Sequence, residues 1–244
     1  MGDRLEFLDR YERLGVHLPA PGRACALASD LTVWTLQPAT EPLASWRRLR
    51  RVHDRTGLWP FLAGSQLVER LWHDAITDHD PTAVRRGLAM DAGAWLAERA
   101  ALAGAPDPAS VQVDPIALAR AAAAEPQVAF TSRDTVIGLI QARNGWEVPG
   151  LLSWNGAANA DVDAAHHVAV LHYWHQRYGA ELVTLTTDLI ELLVPRPPQS
   201  RVTVAQVAIE LLGYCPDLAV QDADAVDSLA AQVVPRRTWS FWWD

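Results

Sequence analysis

From Ala164 to Val194 the chain reads AAHHVAVLHYWHQRYGAELVTLTTDLIELLV, and the rhythm of its apolar positions changes midway. Val168, Leu171, Tyr173, Trp174 and Tyr178 recur at three- and four-residue steps, which places their side chains on one face of a helix. Asp161 or Asp163 can cap its start, and Gly179 stands where a left-handed C-terminal residue is wanted. After it, Leu182 to Leu185 and Leu189 to Val194 are β-branched and Leu-rich, with Thr186-Thr187-Asp188 between them as a polar turn. That pattern predicts a hairpin. Pro195, Pro197 and Pro198 end its second strand, since proline cannot donate to a ladder. This helix and hairpin are expected to form the nucleus of the fold.

The same reading extends along the rest of the chain. Asp3 and Glu6 mark a helix start, with Leu5, Leu8 and Leu14 as its apolar stripe. Residues 24–36 alternate loosely and end in a strand at Val33–Leu36. A helix is expected over 42–55, a short buried strand over 58–62, and a helix over 66–76. Asp80-Pro81 opens a helix running to Leu102, and the Gly/Pro/Ala-rich residues 103–110 form a linker. A short helix follows Asp114-Pro115, a strand covers 135–141, and Arg143-Asn144-Gly145 forms a turn. Thr203 with Gln206 marks the next helix, whose Val204, Val207, Ala208, Leu211 and Leu212 face inward. Tyr214-Cys215-Pro216-Asp217 stops it, Asp222 or Asp224 opens a last helix, and TWSFWWD (238–244) closes the chain as a strand. No repeat of solenoid period is present.

These elements predict an α/β (α+β) fold: a short, mostly antiparallel sheet covered by helices, with the C-terminal Trp-rich strand buried in the sheet. The division expected is 1–145 as an N-terminal α/β region and 146–244 as an α-β-β-α-α-β domain, the two packing as one unit.

Composition then narrows the function. Half of the 244 residues are hydrophobic and 20% are charged, enough for a sizeable core. All 21 basic residues are arginine, which excludes Schiff-base lysine chemistry and a phosphate-binding P-loop. A net charge of −8 opposes general nucleic-acid binding and suits a basic protein partner. Two cysteines, Cys25 and Cys215, exclude a disulfide scaffold. With no apolar leader at the N-terminus and no membrane-length apolar run, the expected location is the cytoplasm.

LHYWHQRYGAELV (171–183), the double proline at 197–198, AIELLGYCPD (208–217) and the final WSFWWD (239–244) together resemble the bacterial family catalogued as domain of unknown function 4253. The resemblance covers roughly the last hundred residues. HDRTGLWPFL (53–62) resembles a segment that precedes this domain in actinobacterial members. Similar members carry Gly after the glutamine that corresponds to Gln221, where Asp222 stands here. The resemblance implies a fold neighbourhood and no assigned activity.

Several residue sets remain as candidates. The 11 tryptophans outnumber the four phenylalanines and four tyrosines. On a strand, Trp239, Phe241 and Trp243 share one face, and Ser240, Trp242 and Asp244 share the other. The structural reading is a central strand packed on both sides, which is preferred. The functional reading makes Trp242, with Trp154 or Trp174, the wall of an apolar ligand slot whose polar end is Asp244. His166, His167, His172 and His175 lack zinc spacing, and Asp163-x-x-His166 has no matching second motif, so no metal and no cofactor are expected. Cys215 lies at a helix C-terminus, where the dipole opposes a reactive thiolate. Arg47, Arg48, Arg50, Arg51 and Arg55 form the one concentrated basic group; a solvated face is preferred over a phosphate or RNA site.

Two functions follow from this. The favoured one is a non-enzymatic binding protein for a basic protein partner, for example immunity- or antitoxin-like. The other is a small-molecule-binding protein or enzyme with a Trp-lined apolar pocket, using His175, Glu210, Asp217 or Asp244 as polar groups, with His175, Glu210 and Asp217 as catalytic candidates.

Overall fold

A computed structural model describes residues 9–18, 21–26, 31–37, 41–73, 80–130, 135–219 and 225–244. Among them, seven strands form one open sheet: β1 (Pro21–Ala26), β2 (Thr32–Leu36), β3 (Leu58–Ala63), β4 (Val136–Gln141), β5 (Glu181–Leu185), β6 (Leu189–Leu193) and β7 (Thr238–Trp242). Their spatial order is β1-β2-β4-β3-β5-β6-β7. Every neighbouring pair is antiparallel except β3 with β5. The helices are α1 (Pro42–Arg50), α2 (His53–Thr56), α3 (Ser65–His73), α4 (Ala83–Ala89), α5 (Ala92–Leu102), α6 (Pro115–Ala122), α7 (Val148–Leu151), α8 (Ala164–Tyr178), α9 (Arg201–Tyr214) and α10 (Ala225–Gln232). The mixed α/β class and the mostly antiparallel sheet are as expected.

The predicted nucleus forms as read. Asp163 caps α8 through a capping box with His166: its carboxylate accepts from the His166 N–H and its own N–H donates to His166 Nδ1. Gly179 ends the helix at φ +70°, a conformation that a Cβ would strain. Thr186 then closes the β5–β6 turn, its hydroxyl accepting from the Leu189 N–H at 3.1 Å.

Other boundaries differ from the sequence reading, each for a local reason. The expected helix over 80–102 is two helices, because Met90 is extended (ψ 144°) and Asp91 caps a new start through the Ala94 N–H. Residues 42–55 likewise divide at Arg51–Val52. The cap of α9 is Ser200, which accepts from the Thr203 N–H, so the helix starts before Thr203. The loosely alternating run before Leu36 is a hairpin, β1 with β2. The Asp3/Glu6 start, the end of the helix expected to reach Ile76, and Gln221, Asp222 and Asp224 lie outside the described residues.

The layering follows from which helices are apolar all round. α9 is buried along nearly its whole length, on all sides. A helix of that kind must be covered on both flanks, and it is: the sheet lies beneath α8 and α9, while α4, α5 and α10 pack over them. Trp174 from α8 stacks on Phe241 of β7 (centroids 5.4 Å, 15° between planes), and Tyr214 at the end of α9 meets Phe241 edge-on at 4.9 Å.

β7 therefore sits in the sheet with Trp239, Phe241 and Trp243 buried on one face. It takes the last position in the strand order, so the expectation of a central strand packed on both sides is corrected. Among the described residues β7 pairs with β6 alone, from Leu193↔Thr238 to Leu189↔Trp242. Its outer edge meets the turn after α9, where the Cys215 thiol donates to the Trp242 carbonyl at 3.1 Å, which blunts the edge against further pairing. Among the described residues no helix is long and apolar enough to cross a membrane.

Candidate functional site

The sequence candidates fall into two groups. Trp154 and Trp174 belong to the core. Trp154 is buried, donates its indole N–H to the Thr186 carbonyl at 2.6 Å, and meets Trp243 edge-on at 5.7 Å. Trp174 is fully buried and donates to Glu210 Oε2 at 3.1 Å. Glu210, on α9, also accepts from the Tyr173 hydroxyl at 3.0 Å. Burial raises the Glu210 carboxyl above its ordinary value, and the Trp174 and Tyr173 hydrogen bonds only partly oppose that. Tyr173 is itself pushed up by burial and by the adjacent carboxylate. Trp174, Tyr173 and Glu210 thus act as a polar pin between α8 and α9 inside an apolar layer.

His175 is not joined to that pin. Its Nδ1–H donates to the Ala180 carbonyl at 3.0 Å, securing the chain just past Gly179. His167, which the sequence reading set aside with the other histidines, is fully buried and shares a 2.6 Å hydrogen bond with the Tyr214 hydroxyl. Desolvation takes its pKa down to about 3, so it is a neutral imidazole. Cys215 is pushed up to about 12, chiefly by burial and then by Asp217, which leaves a thiol and no nucleophile.

The second group gathers at the surface, where the β5–β6 turn meets the end of β7. Trp242 is 50% exposed, in contrast to Trp239 and Trp243 on the other face of the same strand. It lies across from Leu189, and its indole N–H donates to Asp188 Oδ2 at 3.1 Å. Asp188 is fixed in turn: Oδ1 accepts from the Thr186 hydroxyl at 2.9 Å, and its carbonyl accepts from the Trp243 N–H at 3.1 Å. Asp244 follows, exposed, with its N–H on Asp217 Oδ2 at 3.2 Å. Trp242, Asp188, Asp217 and Asp244 therefore form one acidic, aromatic corner built by three elements. Of the candidate residues, Trp242, Asp217 and Asp244 are brought together here; Trp154, Trp174, His175 and Glu210 are elsewhere.

Two groups were missed in the sequence. Asp188 read only as a turn residue. Glu191 on β6 is fully buried and accepts from the Ala129 N–H (2.6 Å), the Phe130 N–H (3.4 Å) and the Ser240 hydroxyl (2.9 Å), so it ties residues 129–130 over the sheet face that carries Ser240. A lone glutamate inside the apolar run LIELL was its one sequence signal. Among the described residues, no cluster of three or more His, Cys, Asp or Glu side chains has the arrangement of a metal site.

Residues 136–244 match the model of a family described as a domain of unknown function (DUF4253). The match starts at the first residue of β4 and includes α8, α9 and the Trp-rich strand. No curated protein and no solved structure matches the chain.

Proposed function

We propose that this protein is a non-enzymatic binding protein that engages a basic protein partner through the corner formed by Trp242, Asp188, Asp217 and Asp244. The observation that carries the reading is the half-exposed Trp242 ring held by the Asp188 carboxylate, with Asp217 and Asp244 close by. An indole face attracts a guanidinium or ammonium group, and flanking carboxylates add a charge-assisted partner. Tryptophan is also the side chain most often found at the energetic centre of protein interfaces. The net charge of −8 favours encounter with a basic surface.

Support also comes from how the other polar groups are engaged. Glu210, His175 and Cys215 each make hydrogen bonds that hold the fold. The thiol and the neutral His167 have pKa values displaced away from those a nucleophile and a base need near neutrality. An immunity- or antitoxin-like role is one concrete form of this reading.

Affinity capture of the tagged chain from its native host tests it. A basic protein is expected in stoichiometric amount, and Trp242→Ala or Asp244→Asn is expected to lose it while the chain still melts cooperatively, within a few degrees of the native protein. Repeated recovery of the bare protein, or capture indifferent to both variants, overturns the reading.

A further inference from the structure

On the opposite half of the chain an open cleft of about 590 Å³ is lined by Gly15, Val16, His17, Leu18, Arg48, Arg51 and Val52. One wall is the end of α1 and the two residues after it. The other is a turn that the local sequence builds firmly. Residues 9–12 are helical, Gly15 takes φ +69°, and the Gly15 and Val16 N–H groups donate to the Glu12 and Tyr11 carbonyls at 2.9 and 3.1 Å. That is a Schellman closure, which needs a left-handed residue and so favours glycine. The wall is fastened to the body by the fully buried Tyr11 and by Arg10, which donates to the Thr56 carbonyl at 3.0 Å.

The charges of this cleft are not neutralised within the described chain. Arg50, between the two lining arginines, binds Glu181 at 2.7 Å and lies 4.5 Å over the Trp59 ring. Arg48 gives one N–H to the Ser45 hydroxyl at 2.9 Å and makes no ion pair among the described residues. The Arg51 and His17 side chains carry neither hydrogen bond nor ion pair among those residues. Arg48 and Arg51 are three apart at a helix end, so their side chains leave the same face. In a chain with eight net negative charges, this concavity brings two guanidinium groups and an imidazole together. Val16, Leu18 and Val52 give the same cleft an apolar wall, since all three pack against the core.

We infer that this cleft binds a small organic phosphate. The phosphate is held by the Arg48 and Arg51 forks with His17 beside it, and an apolar body lies along Val16, Leu18 and Val52. Planar guanidinium forks match phosphate oxygens two at a time, and a dianion with three terminal oxygens uses both arginines at once. A polynucleotide is disfavoured by the overall negative charge, which a compact ligand in a local cleft does not meet along its length.

Titration of the full chain with phenyl phosphate, inorganic phosphate and phenol at fixed ionic strength tests this, read by calorimetry and by the NMR signals of the His17 ring and the arginine Nε–H groups. Phenyl phosphate is expected to saturate, inorganic phosphate to bind more weakly, and phenol not to bind. Arg48→Gln and Arg51→Gln should each weaken phenyl phosphate by about tenfold or more, the worth of a charge-assisted hydrogen bond. Both side chains are exposed, so melting temperatures should be unchanged. Failure to saturate, equal affinity for the two phosphates, indifference to both substitutions, or a response only to a single-stranded RNA oligonucleotide overturns the assignment.

Discussion

Phe241→Ala and Trp242→Ala change neighbouring residues of one five-residue strand and should differ widely in cost. Phe241 is fully buried, stacked on Trp174, edge-on to Tyr214, and 6.3 Å from the Trp243 ring. Truncating a buried phenylalanine costs about 3–5 kcal/mol, from lost transfer energy and from the cavity that remains. Loss of its ring geometry adds roughly 0.5–1.5 kcal/mol for each well-formed aromatic pair, part of it already inside that range. The Trp242 side chain is half exposed and has one hydrogen bond, to Asp188, so its truncation should cost about 1 kcal/mol. Against a native stability of about 5–15 kcal/mol, the first variant loses a large share and the second a small one. Urea unfolding followed by far-UV circular dichroism measures both without depending on which tryptophan reports. Equal losses within about 1 kcal/mol, or the reverse order, would refute the assignment of faces on β7.

Three further outcomes are expected. Residues 136–244 expressed alone should not give a cooperatively melting protein, because β3 lies between β4 and β5 and α4 and α5 cover α8 and α9; a sharp melting transition with dispersed NMR signals would contradict this. His167 has a folded pKa of about 3 against an ordinary 6.5, so the unfolded chain binds the extra proton. Stability from this group is therefore complete above about pH 6.5 and is lost as the pH falls toward 3; the stability difference between the native chain and His167→Gln should shrink over that window, and a pH-independent difference would count against a buried neutral imidazole. Cys25 and Cys215, both buried, should resist a thiol reagent until urea unfolds the chain, whereas rapid labelling of the native protein would show an open path to one of them.

The legible parts of this fold are those written within a few residues. The capping box at Asp163, the stop at Gly179 and the Thr186 turn are local hydrogen-bond choices, and the sequence displays them. The alternation of Trp239, Phe241 and Trp243 with Ser240 and Trp242 is equally local, and burial follows it. What could not be read was adjacency. Nothing near Leu58–Ala63 indicates that β3 enters between β4 and β5, parallel to the latter. Alternation told which side of β7 is apolar, not that the strand takes an edge. The break before α5 depends on an extended Met90, a residue with good helix propensity that Asp91 overrides by capping the next helix. Candidate residues behaved alike: Glu210 finds Tyr173 and Trp174 only because the fold brings α8 and α9 within side-chain reach, and Asp188 reaches Trp242 only through the β6–β7 register.

On the proposed reading, the two faces of β7 separate folding from recognition. Packing explains Trp239, Phe241 and Trp243, since the helices α8 and α9 need large side chains beneath them. It gives no reason for an indole at position 242, where a serine or threonine would satisfy an edge strand with less apolar surface in water. The ring is also not left to rotate: the Asp188 carboxylate holds its N–H, and that carboxylate is held by the Thr186 hydroxyl. A side chain ordered in advance loses less entropy when a partner arrives, which raises affinity without any new contact. An exposed aromatic that contributes little to stability yet is fixed in orientation is what a docking surface requires. On the proposed docking, Asp188→Ala should weaken partner capture although Trp242 is still present, because the carboxylate both orients the indole and meets the basic group.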